Sequence, residues 1–519
     1  MKNADTVVKK KINYSSCGDL LRRILARDGW TLVPSAGAVC NRDRANVAPD
    51  SIFLAQKNGR RIAFFFSDQP VRKLTMAFRT IQRRDRGQFK LIGVLIAPTT
   101  AEMQQLKSVD VAGRFPRAFF ASLEEIRRIA SGDVPAMPER SGGMASFQAE
   151  VIANTPIGGR QSSLYRLAFK APALHDILPP QFIMMDATPT TESGFGSRAV
   201  RRSNLRGAID LTPRPLLKRP FGVCRDFHPH FPADYVKHLS LPPSLALVLH
   251  PPPADYFDML YKVLPDGMGT PLMTKLKRGQ KIGMVGPLGR PFDVRQLRAE
   301  GVEEIHVIGG GVGMAPLILL VEALLYYAFP VKVFLGIAKL ESLRYRDELA
   351  PTLRSGLTPT LRLRDAYVYI DDLLAAGVKA ADIHVSCDSE VPTKIVRGIP
   401  KKNLFHGLVP EQYRKYLHDD PSPHSGDVYA FTCGPNRMME LVAEMAQQAG
   451  VRLQVLMEKR MACGMGVCFS CVQKVRRPNG AEDYARVCME GPLFDAKDIL
   501  WKNDDSKQIS ENSCCAAHC

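Results

Sequence analysis

Apolar residues along this chain fall into stretches of different period. In residues 1–140 a segment at 19–26 places apolar side chains at helical spacing, while compact apolar runs at 61–66 and 89–96 have the length and content of strands. That mixture predicts an α/β domain. Residues 132–143, with Pro135, Pro138 and two adjacent glycines, have the composition of a linker. From 145 to 300 the apolar segments are short, rich in Val, Ile, Phe and Leu, and broken often by Pro and Gly, which predicts an antiparallel β-barrel. Two polar stretches inside it, 187–213 and 225–242, carry Arg and Pro and read as surface insertions. From 301 to 451 the pattern changes to strand, Gly-rich turn, long helix and strand, as in a parallel α/β lobe. Residues 452–500 are dominated by Cys and Gly, and 501–519 read as a mobile tail. The expected fold class is multidomain, α/β plus β.

Length and charge narrow this picture. A chain of 519 residues exceeds what one core supports. Hydrophobic residues at 45% and charged ones at 24% are ordinary for a soluble globular protein and name no special class. The most apolar helix-like run, 314–329, contains Glu322, is bounded by Pro330, and is shorter than the roughly 20 residues a bilayer requires. It reads as a buried helix. The amino terminus lacks the apolar stretch of a signal peptide, so a cytoplasmic location is expected. Lys and Arg outnumber Asp and Glu by 70 to 52, and residues 1–140 alone hold 25 against 13, so +12 of the net +18 lies at the front.

Twelve cysteines in such a chain point to metal ligation rather than a disulfide framework. Cys463, Cys468 and Cys471 have C-x4-C-x2-C spacing, and Cys488 follows within the same unit. This is the plant-type [2Fe–2S] spacing. Two sulfide-bridged irons require four converging thiolates and a tight loop around them, and Gly464 and Gly466 let the backbone wrap. A zinc site would favour two C-x2-C knuckles, whereas here there is one such pair. Cys17, Cys40, Cys224 and Cys387 read as ordinary thiols, and Cys514, Cys515 and Cys519 with His518 as either a metal site or a loose tail.

The run EEIHVIGGGVGMAPLILLVEALL is strand, Gly-rich turn and helix, a place where a cofactor pyrophosphate can meet backbone N–H groups. Gly309, Gly310, Gly311 and Gly313 are its candidates. A later turn at Cys433, Gly434 and Pro435 would lie at the carboxyl ends of neighbouring strands, with Cys433 either at the site or filling the core. Upstream, Arg219 and the turn 267–270 offer the fixed cation and exposed backbone donors that a flavin diphosphate needs, although Arg219 reads equally as a solvated residue. Lys339, Arg344 and Arg346 could meet a 2′-phosphate or cover a helix surface, which leaves NADH and NADPH both open.

From about 145 to 499 the sequence resembles the ferredoxin reductase superfamily and, within it, the electron-transfer subunit of NAD-dependent dihydroorotate dehydrogenase. The likeness rests on PLLKRPFGV, YKVLPDGMGT, GPLGRPF, GGGVGMAP, CGPNRMM, EKRMACGMGVCFSC and RVCMEGPLFD. It implies an FAD-binding barrel at 145–300, a Rossmann-like NAD(P) lobe at 301–451 and a [2Fe–2S] domain at 452–500. It also implies that Arg219, Pro220 and Phe221 line the flavin, that Gly267, Gly269 and Thr270 hold its pyrophosphate, and that Gly310, Gly311, Gly313, Ala315 and Pro316 face the nicotinamide dinucleotide. Cys433, Gly434 and Pro435 would lie near the hydride, with Cys433 the catalytic candidate. Cys463, Cys468, Cys471 and Cys488 would ligate the cluster. An oxidoreductase subunit that passes electrons between NAD(P)H and a partner protein is implied, with pyrimidine biosynthesis as its setting. Small subunits of ferredoxin–NADP transhydrogenases and soluble hydrogenases are similar. The chain departs from the family at Gly222, where a Ser is usual, at Pro179–Phe182, which reads PPQF for PGQF, and in its insertions and front domain.

That front domain has two readings. Its charge, with RRDRGQFK at 83–90, suits either nucleic-acid binding or a protein-docking face. Pro49-Asp50 and a strand ending at Asp68 are faintly similar to a PD-(D/E)xK nuclease core, but Pro70 stands where that motif wants Lys.

Overall fold

The structure, a computed structural model, describes residues 14–27, 30–33, 52–57, 60–66, 90–99, 101–103, 118–131, 144–158, 163–174, 177–189, 217–227, 256–344, 367–389, 397–419 and 428–501. The linker at 132–143, most of both insertions, the basic run at 83–89, Cys40, Pro49, Asp50, Asp68, Pro70, Arg346 and the tail with Cys514, Cys515, His518 and Cys519 lie outside the described residues.

The front domain is a five-stranded sheet in chain order, Thr31–Val33, Ile52–Lys57, Arg60–Phe66, Lys90–Ala97 and Ala118–Ser122. Its first three strands pair antiparallel and its last three parallel. Ile62 to Phe66 are all buried, as a central strand covered on both faces must be. The helices Tyr14–Arg27 and Leu123–Ser131 supply Leu21, Ile24, Leu25 and Ile126 to that core. The second helix is capped by Ser122, whose hydroxyl accepts from the Glu125 N–H at 3.2 Å. Tyr326 packs against this core and stacks on Phe119, which joins the front domain to the lobe.

The next sheet has seven antiparallel strands in the order Arg225–Phe227, Tyr256–Lys262, Leu164–Lys170, Ala145–Ile157, Lys281–Leu288, Phe182–Met185 and Arg219–Gly222. Its two edge strands are separated along the chain only by Val223 and Cys224, so the sheet must curl round until its edges approach. In Ala145–Ile157 buried residues alternate with more exposed ones, the period of a strand with one face on a core. The stretch beginning at 225, expected as surface insertion, opens as a barrel strand with Arg225 only 2% exposed. Its charged residues hid it, because the partners that pay for burying Arg225 come from the lobe.

The lobe sheet runs Leu404–His406, Ile383–Cys387, Val331–Ile337, Glu304–Gly310, Val428–Cys433, Arg452–Leu456 and Leu493–Asp495. All pairs are parallel except the last. Arg452–Leu456 and Leu493–Asp495 therefore extend the lobe, and the cysteine segment between them is an excursion from its edge that includes the hairpin Val472–Arg476 and Glu482–Arg486. The helix Met314–Tyr326 is largely buried beside this sheet, and among the described residues no helix is long and apolar enough to cross a membrane.

Near the start of the lobe strands His384 stacks on Phe334 at 4.5 Å. Burial, then the charges of Lys332 and His306, lower its imidazole from 6.5 to about 4. The unfolded chain binds that proton near 6.5 while the folded chain refuses it until about 4, so stability is full above this window and declines as pH falls through it. His384→Phe, which keeps the stack, is expected to shrink the drop in thermal midpoint between pH 7 and pH 5 relative to wild type; calorimetry at the two pH values checks this.

Candidate cofactor sites

Strand order reverses at Glu304–Gly310, whose neighbours are Val331–Ile337 on one side and Val428–Cys433 on the other. Open parallel sheets hold ligands at such a switch point, at the carboxyl ends of the strands. Gly309 pairs with Cys433 in register, so the two Gly-containing turns emerge side by side. A Cβ on Gly313 would lie 2.7 Å from the Cys433 carbonyl, and one on Gly310 would lie 2.4 Å from Met438 Sδ and 3.2 Å from Pro435. Gly311 has φ +57, a left-handed conformation with open space above it. The structure thus brings Gly310, Gly311, Gly313, Gly434 and Pro435 together, with Ala315 buried and Pro316 in the first helical turn. Cys433 itself is 1% exposed and lies in the lobe core, so its catalytic assignment rests on the resemblance alone.

On the barrel, Arg219–Gly222 pairs with Phe182–Met185. A Cβ on Gly269 would meet Arg219 Nε at 2.4 Å, which seats the turn of Gly267, Gly269 and Thr270 directly on the guanidinium. Thr270 Oγ1 accepts from the Leu264 N–H at 2.9 Å and closes that turn. Phe221 meets Tyr261 edge to face, and the Tyr261 hydroxyl donates to Asn154 at 3.1 Å. Gly222 faces the lobe: its Cβ would lie 2.7 Å from Pro316 Cβ, so there is no room for the Ser usual at this position.

The cysteine loop leaves the lobe edge after Leu456. Cys463 and Cys468 lie within hydrogen-bonding reach of each other, as do Cys471 and Cys488, and the charge of Cys463 is felt at Cys488. Gly464 and Gly466 take left-handed φ values of 71 and 82, and the Gly466 N–H points at Cys488 while that of Met465 donates to Cys463 Sγ at 3.4 Å. Among the described residues no three His, Cys, Asp or Glu side chains gather as ligands of one metal ion. Two thiol pairs suit a pair of irons better than a single tetrahedral ion.

Several supporting residues went unread in the sequence. Ser470 Oγ accepts from the Ala462 N–H and contacts Cys468 Sγ, both at 3.1 Å. Arg486 donates to the Gly466 carbonyl at 3.1 Å and covers the Phe469 ring. A Cβ on Gly464 would lie 2.6 Å from Met184, a residue whose register partner across the sheet is Pro220. The cysteine loop therefore rests on a side chain of the strand that pairs with Arg219–Gly222. Glu458 follows Arg452–Leu456, whose Val455 pairs with Thr432, and so stands beside the Gly434 turn. It is exposed, while the protein atoms packed around it desolvate its carboxyl and push it up to about 7. The only hint in the sequence was the run EKRM before the first cysteine. Lys339 is exposed just past Val331–Ile337.

Residues 458–500 match the family model described as the iron–sulfur cluster binding domain of dihydroorotate dehydrogenase B. The electron transfer subunit of dihydroorotate dehydrogenase B (NAD(+)) from Desulforamulus reducens is 27% identical over 291 residues, which is 56% of this chain and 83% of that one. Its counterpart from Caldanaerobacter subterraneus subsp. tengcongensis is 28% identical over 300 residues, 56% of this chain and 85% of that one. A solved chain of NADH-dependent reduced ferredoxin–NADP oxidoreductase overlays 70% of this chain and 92% of its own at 18% identity with a TM-score of 0.43, too distant to decide anything. The family model and the two relatives bear out the resemblance read from the motifs.

Gly313→Ala forces a methyl against main chain that cannot yield, and is expected to cost about 1–3 kcal/mol of lobe stability. Chemical denaturation followed by far-ultraviolet circular dichroism measures it.

Proposed function

We propose that this chain is the NAD(P)H-oxidising, electron-transferring subunit of an oxidoreductase, with sites for FAD on the barrel, a nicotinamide dinucleotide on the lobe and a [2Fe–2S] cluster on the cysteine loop. When bound, these groups supply hydride donation, conversion of an electron pair into single electrons, and single-electron conduction. The chain's own part is to bind, orient and exclude water. Arg219 and the turn at Gly267, Gly269 and Thr270 would hold the flavin diphosphate, one as a fixed cation and the other through main-chain donors. Gly310, Gly311 and Gly313 leave the main chain bare where a dinucleotide would approach. Cys463, Cys468, Cys471 and Cys488 would ligate the two irons.

The observation that carries this reading is the pair of thiol pairs on a loop that Gly464 seats on Met184, a residue of the strand that pairs with Arg219–Gly222. The rim of that loop is apolar and exposed, with Val467 at 74% and Phe469 at 61%, beside Met465, Tyr484 and Met489. Such a patch is what a partner protein covers. The likeness to the relatives supports a dihydroorotate dehydrogenase catalytic subunit as that partner, with pyrimidine biosynthesis as the setting.

Protein purified without air should be coloured and contain iron rather than zinc. Cys468→Ser should abolish the iron–sulfur absorbance and spare NADH- or NADPH-dependent ferricyanide reduction; colourless or zinc-loaded wild-type protein overturns the reading. Arg219→Ala should weaken FAD binding about 10- to 100-fold, the worth of one charge-assisted hydrogen bond, read from flavin fluorescence on titration.

A further inference from the structure

Five ionisable side chains meet at the boundary between barrel and lobe, in the one place where the two bodies share buried charge among the described residues. Arg166 lies 3.5 Å from Asp258, its barrel neighbour, and 2.5 Å from Asp372 of the lobe helix Ile370–Ala376. Arg225 lies 2.8 Å from Glu322 of the helix Met314–Tyr326 and 3.6 Å from Asp372. Arg166, Arg225, Asp258 and Asp372 are each less than 5% exposed. Asp372 is further fixed by the Tyr369 N–H, which donates to it at 3.0 Å. We infer that this cluster is a positioning device: it sets the barrel against the lobe so that the flavin strand and the nicotinamide-facing helix meet in the geometry that transfer between their cofactors needs. This rests on the function proposed above.

Two observations carry it. The first is that the cluster and the proposed cofactor contact are joined by one helix, Met314–Tyr326, and by the two-residue link Val223–Cys224 between the barrel's edge strands. Gly222 touches Pro316, and three residues on from Gly222 is Arg225, while six residues on from Pro316 is Glu322. Three extended residues span at most roughly 11 Å, and six helical residues roughly 9 Å. The two contacts are therefore the ends of one rung-like frame, and a shift at the ion pair is transmitted to Gly222 and Pro316. The second is that the cluster is poorly optimised for stability. It sets three carboxylates against two guanidinium groups, and one oxygen each of Asp258 and Asp372 is buried with no hydrogen-bond partner. Apolar residues of similar size would hold a boundary at least as firmly. What they lack is direction, since a charge pair fixes distance and angle where apolar contacts slide.

The test uses the full chain with Glu322→Gln, Asp372→Asn, and the apolar double variant Arg225→Met with Glu322→Leu. Each single variant leaves two carboxylates facing two guanidinium groups but takes from Arg225 one of its lobe partners; the double variant replaces the Arg225–Glu322 pair with apolar side chains of similar size, which separates direction from mere adhesion. With FAD content as in wild type, each variant is expected to show flavin reduction by NADH or NADPH slowed about 100-fold, the scale of a 1 Å misplacement. The long-wavelength charge-transfer absorbance on adding oxidised nicotinamide to the photoreduced protein should weaken in parallel. In flavin-free protein, amide exchange should rise selectively at 219–227 and 314–322. Were the cluster merely structural, the double variant would recover wild-type reduction rate and charge-transfer absorbance along with its thermal midpoint, and that result overturns the inference. Wild-type protein that binds FAD but is reduced by neither nicotinamide overturns instead the function on which it rests.

Discussion

At the centre of the lobe, Glu304–Gly310 has parallel neighbours on both sides, and the chain leaves the sheet in opposite directions along it. A crevice at the carboxyl ends is the geometric result, whatever side chains are present. What the sequence adds is absence: glycines at 310, 313 and 434 let two turns approach until main chain meets main chain. The barrel then completes the crevice from outside, with Gly222 seated on Pro316. Each proposed cofactor site is defined relative to this junction, and each depends on close approach that a single methyl would block.

The cysteine loop is attached to the same junction rather than standing apart. It departs from Arg452–Leu456 and returns at Leu493–Asp495, which pair with each other on the lobe edge, and the Met457 N–H donates to the Pro492 carbonyl at 2.9 Å. Its far side rests on Met184 and Leu288 of the barrel through Gly464. Held at both ends and along one face, a loop of this length keeps its thiols converged without a large core of its own, and Arg486 and Ser470 fix the rest by hydrogen bonds to main chain and sulfur. Met465, Val467, Tyr484 and Met489 stay exposed on its rim among the described residues.

Buried charge marks the other end of the barrel–lobe contact. Arg225 is tolerated inside because Glu322 and Asp372 reach it from the lobe, while Asp258 is held up to about 6 by desolvation, against the pull of Arg166. Such groups cost desolvation and return direction. Their presence beside a packed apolar helix, where Leu or Met would fit, is the clearest departure of this chain from the composition of an ordinary core.

The elements were legible because their signals are local. The helix at 314, the strands at 304, 331 and 428, the three-cysteine spacing with its fourth partner, and the Gly-rich turn all follow from period and spacing within a few dozen residues. The sequence alone therefore determined the order of barrel, lobe and cysteine segment and named the thiols. Tertiary structure alone decided that Arg225 is interior, that Arg452–Leu456 and Leu493–Asp495 belong to the lobe, that Gly222 yields its side chain to Pro316, and that the cysteine loop rests on Met184, whose strand pairs with Arg219–Gly222. Each of these is a meeting of residues far apart in the chain, and such contacts leave no period for the sequence to display: a charged residue that will be paired reads the same as one that will be solvated until its partner is in place.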